Sequence, residues 1–580
     1  MKTGWRRVCS VALTIAAASS SADERQGTGA DWVLTHGKVF TSNSGAPWAD
    51  AVAIERGKFV YVGDDAGAER LVTASTRRTD LGGRLVIPGM VDGHTHPGYI
   101  GIERYAKPWL PTTSKAALLN AVKAFADAHP GDGWIRMCCW PDGMFLDGSV
   151  DKRDLDGVVG DRPVWLTSAV WHTVWVNSKA LQALGIDRNT ADPRPGLARY
   201  GRYPDGEPDG FITEGAAWQF GVDTFPVEGA AHEREVIRFL EYLSAHGVVA
   251  VFDGGNFGHE DRVYALLAKL EREGRLPLRY EGTYQIFIPE RRRTAIAELL
   301  RLRQRYGGDR LRFTTVKLFM DGVSTNRTAA LLEPYADDPQ SVGNTMLSAQ
   351  ELTDFLLDLN AAHLDLHVHV LGDRAVRTVL DAVEAAKQRV EGDFYPRVTL
   401  AHMGLVDPAD FPRIAKLGIV ANYTPWWHGV VPNDPVRRAL GPQRYARSLL
   451  VRPLLDAGGI VSFSSDDWVV EYASPFLGIQ VGHLRQSPPA STTGAGRSPE
   501  MLPIRGPESE RLDLATMLRG YTINGAYQLR MENEIGSIAV GKRGDLVVLD
   551  RNLFDMNPAD IRDVLPAAVV VDGTLLHGRL

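Results

Sequence analysis

Two histidines one residue apart, His94 and His96, close the segment Val86-Ile-Pro-Gly-Met-Val-Asp-Gly-His-Thr-His. In an extended chain, residues two apart face the same side, so both imidazoles can form one two-ligand arm for a divalent cation. Two surface histidines in a Gly/Pro turn would show the same spacing. A second pair, His367 and His369, stands in Leu366-His-Val-His-Val-Leu-Gly-Asp373. His369 lies nearer the end of that run and is the preferred ligand, with His367 deeper in a supporting position. His402 ends Leu400-Ala-His; alone, such a residue is more often a satisfied core or surface histidine than a ligand.

Lys317 sits in Val316-Lys-Leu-Phe-Met-Asp321-Gly, and a lysine among apolar neighbours is costly unless paired or chemically altered. Carbamylation by carbon dioxide would make it an anionic oxygen donor, and a salt bridge to Asp321 or another buried acid accounts for it equally well. Asp466 and Asp467 end Phe463-Ser-Ser-Asp-Asp. A carboxylate there suits a metal ligand that also takes a proton from water, or a turn or helix cap. Each residue has a plain structural reading, yet all of them falling at separate strand ends points to one shared cation. Imidazoles with carboxylates fit zinc first, and manganese, iron or cobalt after it. The expected cofactor is therefore a divalent metal, as one or two ions.

Something must bring positions hundreds of residues apart to one place. Eight apolar or β-rich segments can be read: Leu85–His94, Gly247–Gly254, Leu276–Phe287, Phe313–Asp321, Leu364–Gly372, Arg397–His402, Ile419–Thr424 and Ile460–Asp466. Most precede a helix-like stretch, such as Asp261–Glu273 or Arg374–Arg389. Eight βα units predict an α/β fold, a (β/α)8 TIM-like barrel, whose catalytic groups gather at the C-terminal strand ends. Residues 31–90 and the end of the chain share short, Gly-punctuated β-rich segments, which predicts a small β-sandwich built from both ends. The expected organisation is a sandwich over 30–90 and 531–580 and a barrel over 91–530. The interval of about 97–246 is too long for a βα connection and reads as an insertion capping the barrel mouth. Residues 486–510, rich in Pro, Ser, Gly and Thr, read as a mobile loop after the eighth strand.

The chain has 580 residues, 44% hydrophobic and 23% charged, with a net charge of −7, enough for a large core. No basic stripe marks a nucleic-acid surface. Residues 1–22 combine Lys2, Arg6 and Arg7 with an apolar run and small residues, the pattern of a secretory signal peptide; the expectation is an exported protein, periplasmic or secreted. No later run is long enough to predict a membrane span. Cys138 and Cys139 are adjacent, which disfavours an ordinary disulfide and favours packing. The expected partner is a small-molecule substrate, and homo-oligomerisation stays open. Trp134, Trp140, Trp165, Trp171 and Trp175 in the insertion, with Trp426, Trp427 and Trp468 after the last strands, could line an apolar pocket or simply pack.

The chain resembles the amidohydrolase superfamily, and within it amidohydrolase family 3, the YtcJ-like group that includes N-substituted formamide deformylases. The resemblance runs from about Ala30 to the C-terminus. Besides the segments already quoted it rests on Val174-Trp-Val-Asn-Ser-Lys-Ala-Leu and Gly536-Ser-Ile-Ala-Val-Gly-Lys-Arg-Gly-Asp-Leu. It implies His94 and His96 as ligands of a first metal, Lys317 as a carbamylated bridge, His369 and His402 as ligands of a second metal, and Asp466 as ligand and general base. It also implies that His172, in Trp171-His-Thr-Val-Trp, approaches the substrate, although a structural histidine in an aromatic insert reads the same way. Two departures stand beside these positions: Ser464-Ser-Asp-Asp-Trp468 where the group usually has Gly-Ser-Asp-x-Pro, and Met403-Gly404 where Ala-Gln is common.

The expected function is metal-dependent hydrolysis of a C–N bond, amide-type, with an N-acyl or N-aryl amide as the favoured substrate. Two rivals remain at this level. A metal-free carboxylate glycosidase would use acids such as Asp321 and Asp466, and a non-catalytic ligand-binding barrel would keep the fold without turnover.

Overall fold

The computed structural model describes residues 29–99, 114–140, 150–221, 229–430, 434–467, 472–488 and 502–580. The expected signal peptide, Trp468 and residues 489–501 of the expected mobile loop lie outside these ranges.

Seven short strands come first: β1 (Trp32–Thr35), β2 (Lys38–Phe40), β3 (Trp48–Ala49), β4 (Ala51–Glu55), β5 (Lys58–Gly63), β6 (Arg77–Asp80) and β7 (Leu85–Pro88). The segment read as one strand over Leu85–His94 is two. Pro88-Gly89 breaks it, so β7 stays with β2 while β8 (Met90–Thr95) enters the barrel. A Cβ on Gly89 would lie 2.5 Å from Val249 Cγ1, so the backbone can cross between sheets only without a side chain there.

The insertion folds as its own five-stranded sheet from β9 (Ile135–Trp140), β10 (Val164–Ser168), β11 (Thr173–Val176), β12 (Tyr200–Arg202) and β13 (Pro208–Thr213), in the order β12-β13-β11-β10-β9. Its side chains alternate between two apolar layers. Val164, Leu166 and Trp175 pack with Trp140 on one face, and Trp165, Val174 and Val176 pack with Tyr200 and Ile212 on the other. Cys138 and Cys139, expected as packing thiols, are bonded to each other. Neighbouring strand residues normally face opposite sides, but Cys139 turns left-handed (φ 80), and the ladder to β10 shifts register between Thr167 and Ser168. The alternation fails there and the two sulfurs meet.

β8 is followed in the barrel by β14 (Val248–Asp253), β15 (Arg279–Ile286), β16 (Leu311–Phe319), β17 (Asp365–Val370), β18 (Val398–His402), β19 (Val420–Tyr423) and β20 (Ile460–Phe463). All are parallel and adjacent in chain order. Each falls within or beside a segment expected from the sequence. Amphipathic helices cover the outside; that of Asp373–Arg389, for example, buries Val376, Val379, Leu380 and Val383. The helix Gly229–Ala245 also belongs to this shell, packing Val236, Phe239, Leu240 and Leu243 into the barrel core. The insertion's sheet therefore ends well before β14.

The C-terminal strands β21 (Leu546–Leu549), β22 (Pro566–Val571) and β23 (Thr574–Gly578) extend β7, β2 and β3 into one sheet, which faces the sheet β5-β4-β1-β6. Trp32, Leu34, Val52 and Ile54 from one side meet Val86, Leu546, Val548 and Val570 from the other. Among the described residues, no helix is long and apolar enough to cross a membrane.

Sandwich and barrel share a buried ionic joint. Arg279, at the start of β15, donates to Asp545 at 2.7 Å and to Asp572 at 2.5 Å. Arg279 and Asp545 are both buried. Removing one partner of a buried pair strands the other's charge, at a cost of about 3–5 kcal/mol. Arg279→Ala should therefore lower the midpoint of denaturant unfolding by that amount of stability. A midpoint equal to that of the wild type would mean the joint contributes nothing.

Candidate metal centre

The barrel's C-terminal ends gather the polar residues. On β8 the alternation of the strand sends His94 and His96 inward. His96 Nδ1 lies 3.1 Å from the Gly255 carbonyl oxygen, to which it donates, so its Nε2 lone pair is left to ligate. His94 Nδ1 lies 2.9 Å from His367 Nε2, and His367 stacks on Phe252. His94 is thereby oriented from below, with Nε2 pointing into the mouth. From the loop after β20, Asp466 places Oδ1 3.4 Å from His94 Nε2 and 3.5 Å from His96 Nε2. Its other oxygen, Oδ2, lies 3.5 Å from His402 Nδ1 at the end of β18. Lys317 Nζ, on β16, is 3.2 Å from His94 Nε2. The ring of His369, on β17, lies 4.7 Å from that of His402. Lys317, His369 and His402 thus surround the core group His94–His96–Asp466, whose ligand atoms lie within 4.8 Å of one another.

This donor set fits a divalent cation. Three imidazoles and a carboxylate converge, and buried His402 Nδ1 has no hydrogen-bond partner among the described residues. A Cβ on Gly254 would come within 2.6 Å of both His94 Nε2 and His96 Nε2, so the missing side chain leaves the two ligand nitrogens room. Protonation states agree. Burial, followed by the charge of Lys317, holds His94 well below the usual imidazole range; burial and neighbouring histidines do the same to His369. Burial lowers His402 to about 3 and Lys317 to about 7. Neutral imidazoles are the form that binds metals. Burial disfavours ionised Asp466, but His402 and His96 outweigh it and hold the carboxyl below its usual range.

Backbone geometry is unusual at the same places. His402 (φ 73), Met403 (φ 46) and Asp466 (φ 46) adopt left-handed conformations without being glycine. Such conformations cost about 1–3 kcal/mol each and persist where the surroundings impose them, most often at functional sites.

Several supporting residues were not singled out from the sequence. Asp92, two residues before His94, accepts from Ser465 N at 3.0 Å and Ser465 Oγ at 2.6 Å. Burial pushes its carboxyl up to about 7. Asp253, at the end of β14, accepts from Gly255 N and Asn256 Nδ2, shaping the turn that presents the Gly255 carbonyl to His96. Both are acids at inward strand positions, a signal available in the sequence. Asp321 accepts from the backbone N–H groups of Ala330, Leu371 and Gly372. It is therefore neither a salt-bridge partner for Lys317 nor one of a pair of catalytic carboxylates with Asp466.

The insertion supplies the other wall. His172, just before β11, lies 5.4 Å ring to ring from His369, and its Nδ1 is 2.5 Å from Glu214 Oε2. Trp218 contacts His172, Phe257 and Phe319; Phe257 stacks on His96 and Phe319 lies against His369. Of the tryptophans noted in the sequence, Trp427 reaches the site, stacking on His402 at 5.2 Å. Trp140, Trp165 and Trp175 are core residues of the insertion. Trp426 donates to the Ser465 carbonyl and steadies the loop of Asp466.

Comparison with known proteins places this arrangement. Residues 78–577 match the model of the amidohydrolase family. The chain is 27% identical to the putative amidohydrolase YtcJ of Bacillus subtilis (strain 168), over 94% of this chain and 98% of that protein. It is 26% identical to the N-substituted formamide deformylase of Arthrobacter pascens, over 95% of this chain and 98% of that one. Among solved structures, an uncharacterised metal-dependent hydrolase from Pyrococcus horikoshii shares the fold, with a TM-score of 0.66, 23% identity and coverage of 91% of this chain and 99% of its own.

The room left by Gly254 can be tested directly. Gly254→Ala should fold normally by circular dichroism but bind zinc on the order of 10–100-fold more weakly in chelator competition, as expected when the surroundings of metal ligands are disturbed. Wild-type affinity in this variant would show that the gap beside His94 and His96 does not serve a cation.

Proposed function

The chain belongs to the amidohydrolase family, and from that premise we propose that it is a metal-dependent hydrolase of amide-type C–N bonds, with N-acyl or N-aryl amides as its substrate class. The observation that carries the reading is the convergence of His94, His96 and Asp466 from β8 and the loop after β20 onto one point. His369, His402 and Lys317 surround that point. The donor set favours zinc, as one or two ions. We place Lys317 as a carbamylated bridge: its amine is fully buried, no carboxylate among the described residues is hydrogen-bonded to it, and an added carboxylate group would supply that anion.

A bound divalent cation supplies a Lewis acid and lowers the pKa of water from about 15.7 toward about 7. The protein's own groups do the rest. Asp466, ionised at neutral pH, accepts a proton as water adds to the substrate carbonyl carbon. It returns that proton to the nitrogen as the C–N bond breaks, giving a carboxylic acid and an amine. His172, beside His369 with Nδ1 turned to Glu214, is placed to accept a hydrogen bond from the substrate's amide N–H at Nε2 and so to orient the scissile bond. Trp218, Phe257, Phe319 and Trp427 exclude water and offer apolar rings to an acyl or aryl substituent. The deformylase activity named for the Arthrobacter relative makes N-formyl compounds the first to try.

Two measurements check this. Purified protein screened against N-acyl and N-formyl amines should hydrolyse members of the set, lose the activity to a chelator and regain it with zinc. Asp466→Asn should stay folded while kcat/KM falls by roughly 100-fold or more, the scale of a lost general base. Chelator-resistant turnover, or an Asp466→Asn variant as active as the wild type, would overturn the reading. Carbamylation has its own readout: carbon-13 bicarbonate should give a carbamate resonance that Lys317→Ala lacks.

A further inference from the structure

Glu214 is a buried acid in the insertion to which the catalytic scheme gives no role. It ends β13 in a conformation disfavoured for any residue with a Cβ (φ 53, ψ −139), without capping the short helix that follows. Its backbone N–H donates to the His172 carbonyl at 2.8 Å. Its Oε2 meets His172 Nδ1 at 2.5 Å, and its Oε1 accepts from Thr328 Oγ1 at 2.6 Å. A Cβ on Gly322 would fall 2.2 Å from Glu214 Oε1, so the barrel loop leaves room for this carboxylate. The same loop is tied down by Asp321, which also holds the backbone just after His369. Glu214 is thus gripped by the barrel on one oxygen while it grips the insertion's histidine with the other.

We propose that Glu214 is the positioning residue for His172: it fixes the proton on Nδ1 and the plane of the ring, so that any substrate contact is made through Nε2. The inference rests on His172 having the role proposed above. The chemistry needs an acid rather than an isosteric amide. A carboxylate has only acceptors and can pair only with a protonated Nδ1. Glutamine at this position would keep one acceptor for Thr328 and turn an NH2 donor toward His172, favouring the opposite tautomer. The pairing also explains why a strained, buried acid is tolerated, since an unpaired one would be costly. Supporting partners of this kind typically carry 10–100-fold of activity when removed.

The test is a double-mutant cycle on the full-length, zinc-loaded protein. Glu214→Gln should lower kcat by roughly 10–100-fold, with KM changed by less than about threefold and zinc content unchanged. In a His172→Ala background the same substitution should cost less than about twofold, because its effect passes through that ring. A merely structural Glu214 would instead add its full loss in both backgrounds, and that result would overturn the proposal, as would a Glu214→Gln enzyme with wild-type kcat. Nitrogen-15 spectra of histidine-labelled, zinc-loaded protein read the pairing without turnover. Wild-type His172 should carry a proton on Nδ1 and shift toward the Nε2–H form in Glu214→Gln; a wild-type Nε2–H form would overturn the proposal. Should the protein hydrolyse nothing in the screen yet show that tautomer shift, the pairing stands and the hydrolase reading falls.

Discussion

The closure between the first and last barrel strands is the constraint on which the rest depends. β8 and β20 meet at their C-terminal ends through a few polar contacts. Asp466 N donates to the His94 carbonyl at 2.7 Å, Thr95 Oγ1 donates to the Asp467 carbonyl at 2.9 Å, and Ser465 donates twice to Asp92. The residues that shut the barrel are therefore the residues that form the cation group, or their immediate neighbours. This has a cost in solvation. Asp92 is carried out of water and pushed up to about 7 by burial even with Ser465 and the His94 backbone N–H donating to it. Asp466 is held in a left-handed turn. Closing the sheet and setting the carboxylate rest on the same contacts, so the His94–His96–Asp466 group is tied to the fold.

That coupling explains which parts of the site were legible in the sequence. Apolar runs ending in His94-x-His96, His369 and His402 revealed both the strands and their inward polar ends, because strand periodicity fixes the face; Asp466 lies beyond β20 in a left-handed turn, which periodicity does not aim. The eight barrel segments follow from the same pattern. What periodicity does not encode is pairing between elements. Asp92, Asp253 and Asp321 are all inward or strand-end acids, but their partners are set by register and loop course: Ser465 for Asp92, the turn Gly255-Asn256 and Tyr264 for Asp253, and the N–H groups of Ala330, Leu371 and Gly372 for Asp321. Glu214 was hidden further still: it acts on the barrel only because the insertion's sheet lies over it, and no local pattern states that docking. The bonded pair Cys138–Cys139 was misread for a related reason. Strand alternation argues against neighbours meeting, and it holds until a left-handed residue breaks it.

The site divides between two structural sources. The barrel contributes the cation group, held by hydrogen bonds at strand ends. The insertion contributes His172, Glu214 and Trp218, held by its own sheet and short helix. Their contacts include His172 against His369, Trp218 against Phe319 and Phe257, and Glu214 on Thr328. The candidate cation group thus comes from the part whose strands are fixed by closure. The rings around that group come from both sources, Phe257, Phe319 and Trp427 from the barrel and Trp218 from the insertion.

This division changes how the departures from the family's pattern should be understood. Ser464 stands where the family usually has a glycine, two residues before Asp466. Its hydroxyl points inward, donating to Asn422 Oδ1 at 2.8 Å within a buried chain that continues through Gln528 to the Gly93 carbonyl. Ser464 therefore braces β20 against β19 and β8 beneath the mouth rather than lining it. Met403 is likewise buried, in a left-handed turn directly after His402, and Gly404 lacks the Cβ that would lie 2.6 Å from Leu371 Cδ2. Both departures act on how His402 and Asp466 are held. The rings that a substrate would touch, Trp218, Phe257, Phe319 and Trp427, belong to other segments, and differences in substrate between this chain and its relatives are to be sought there.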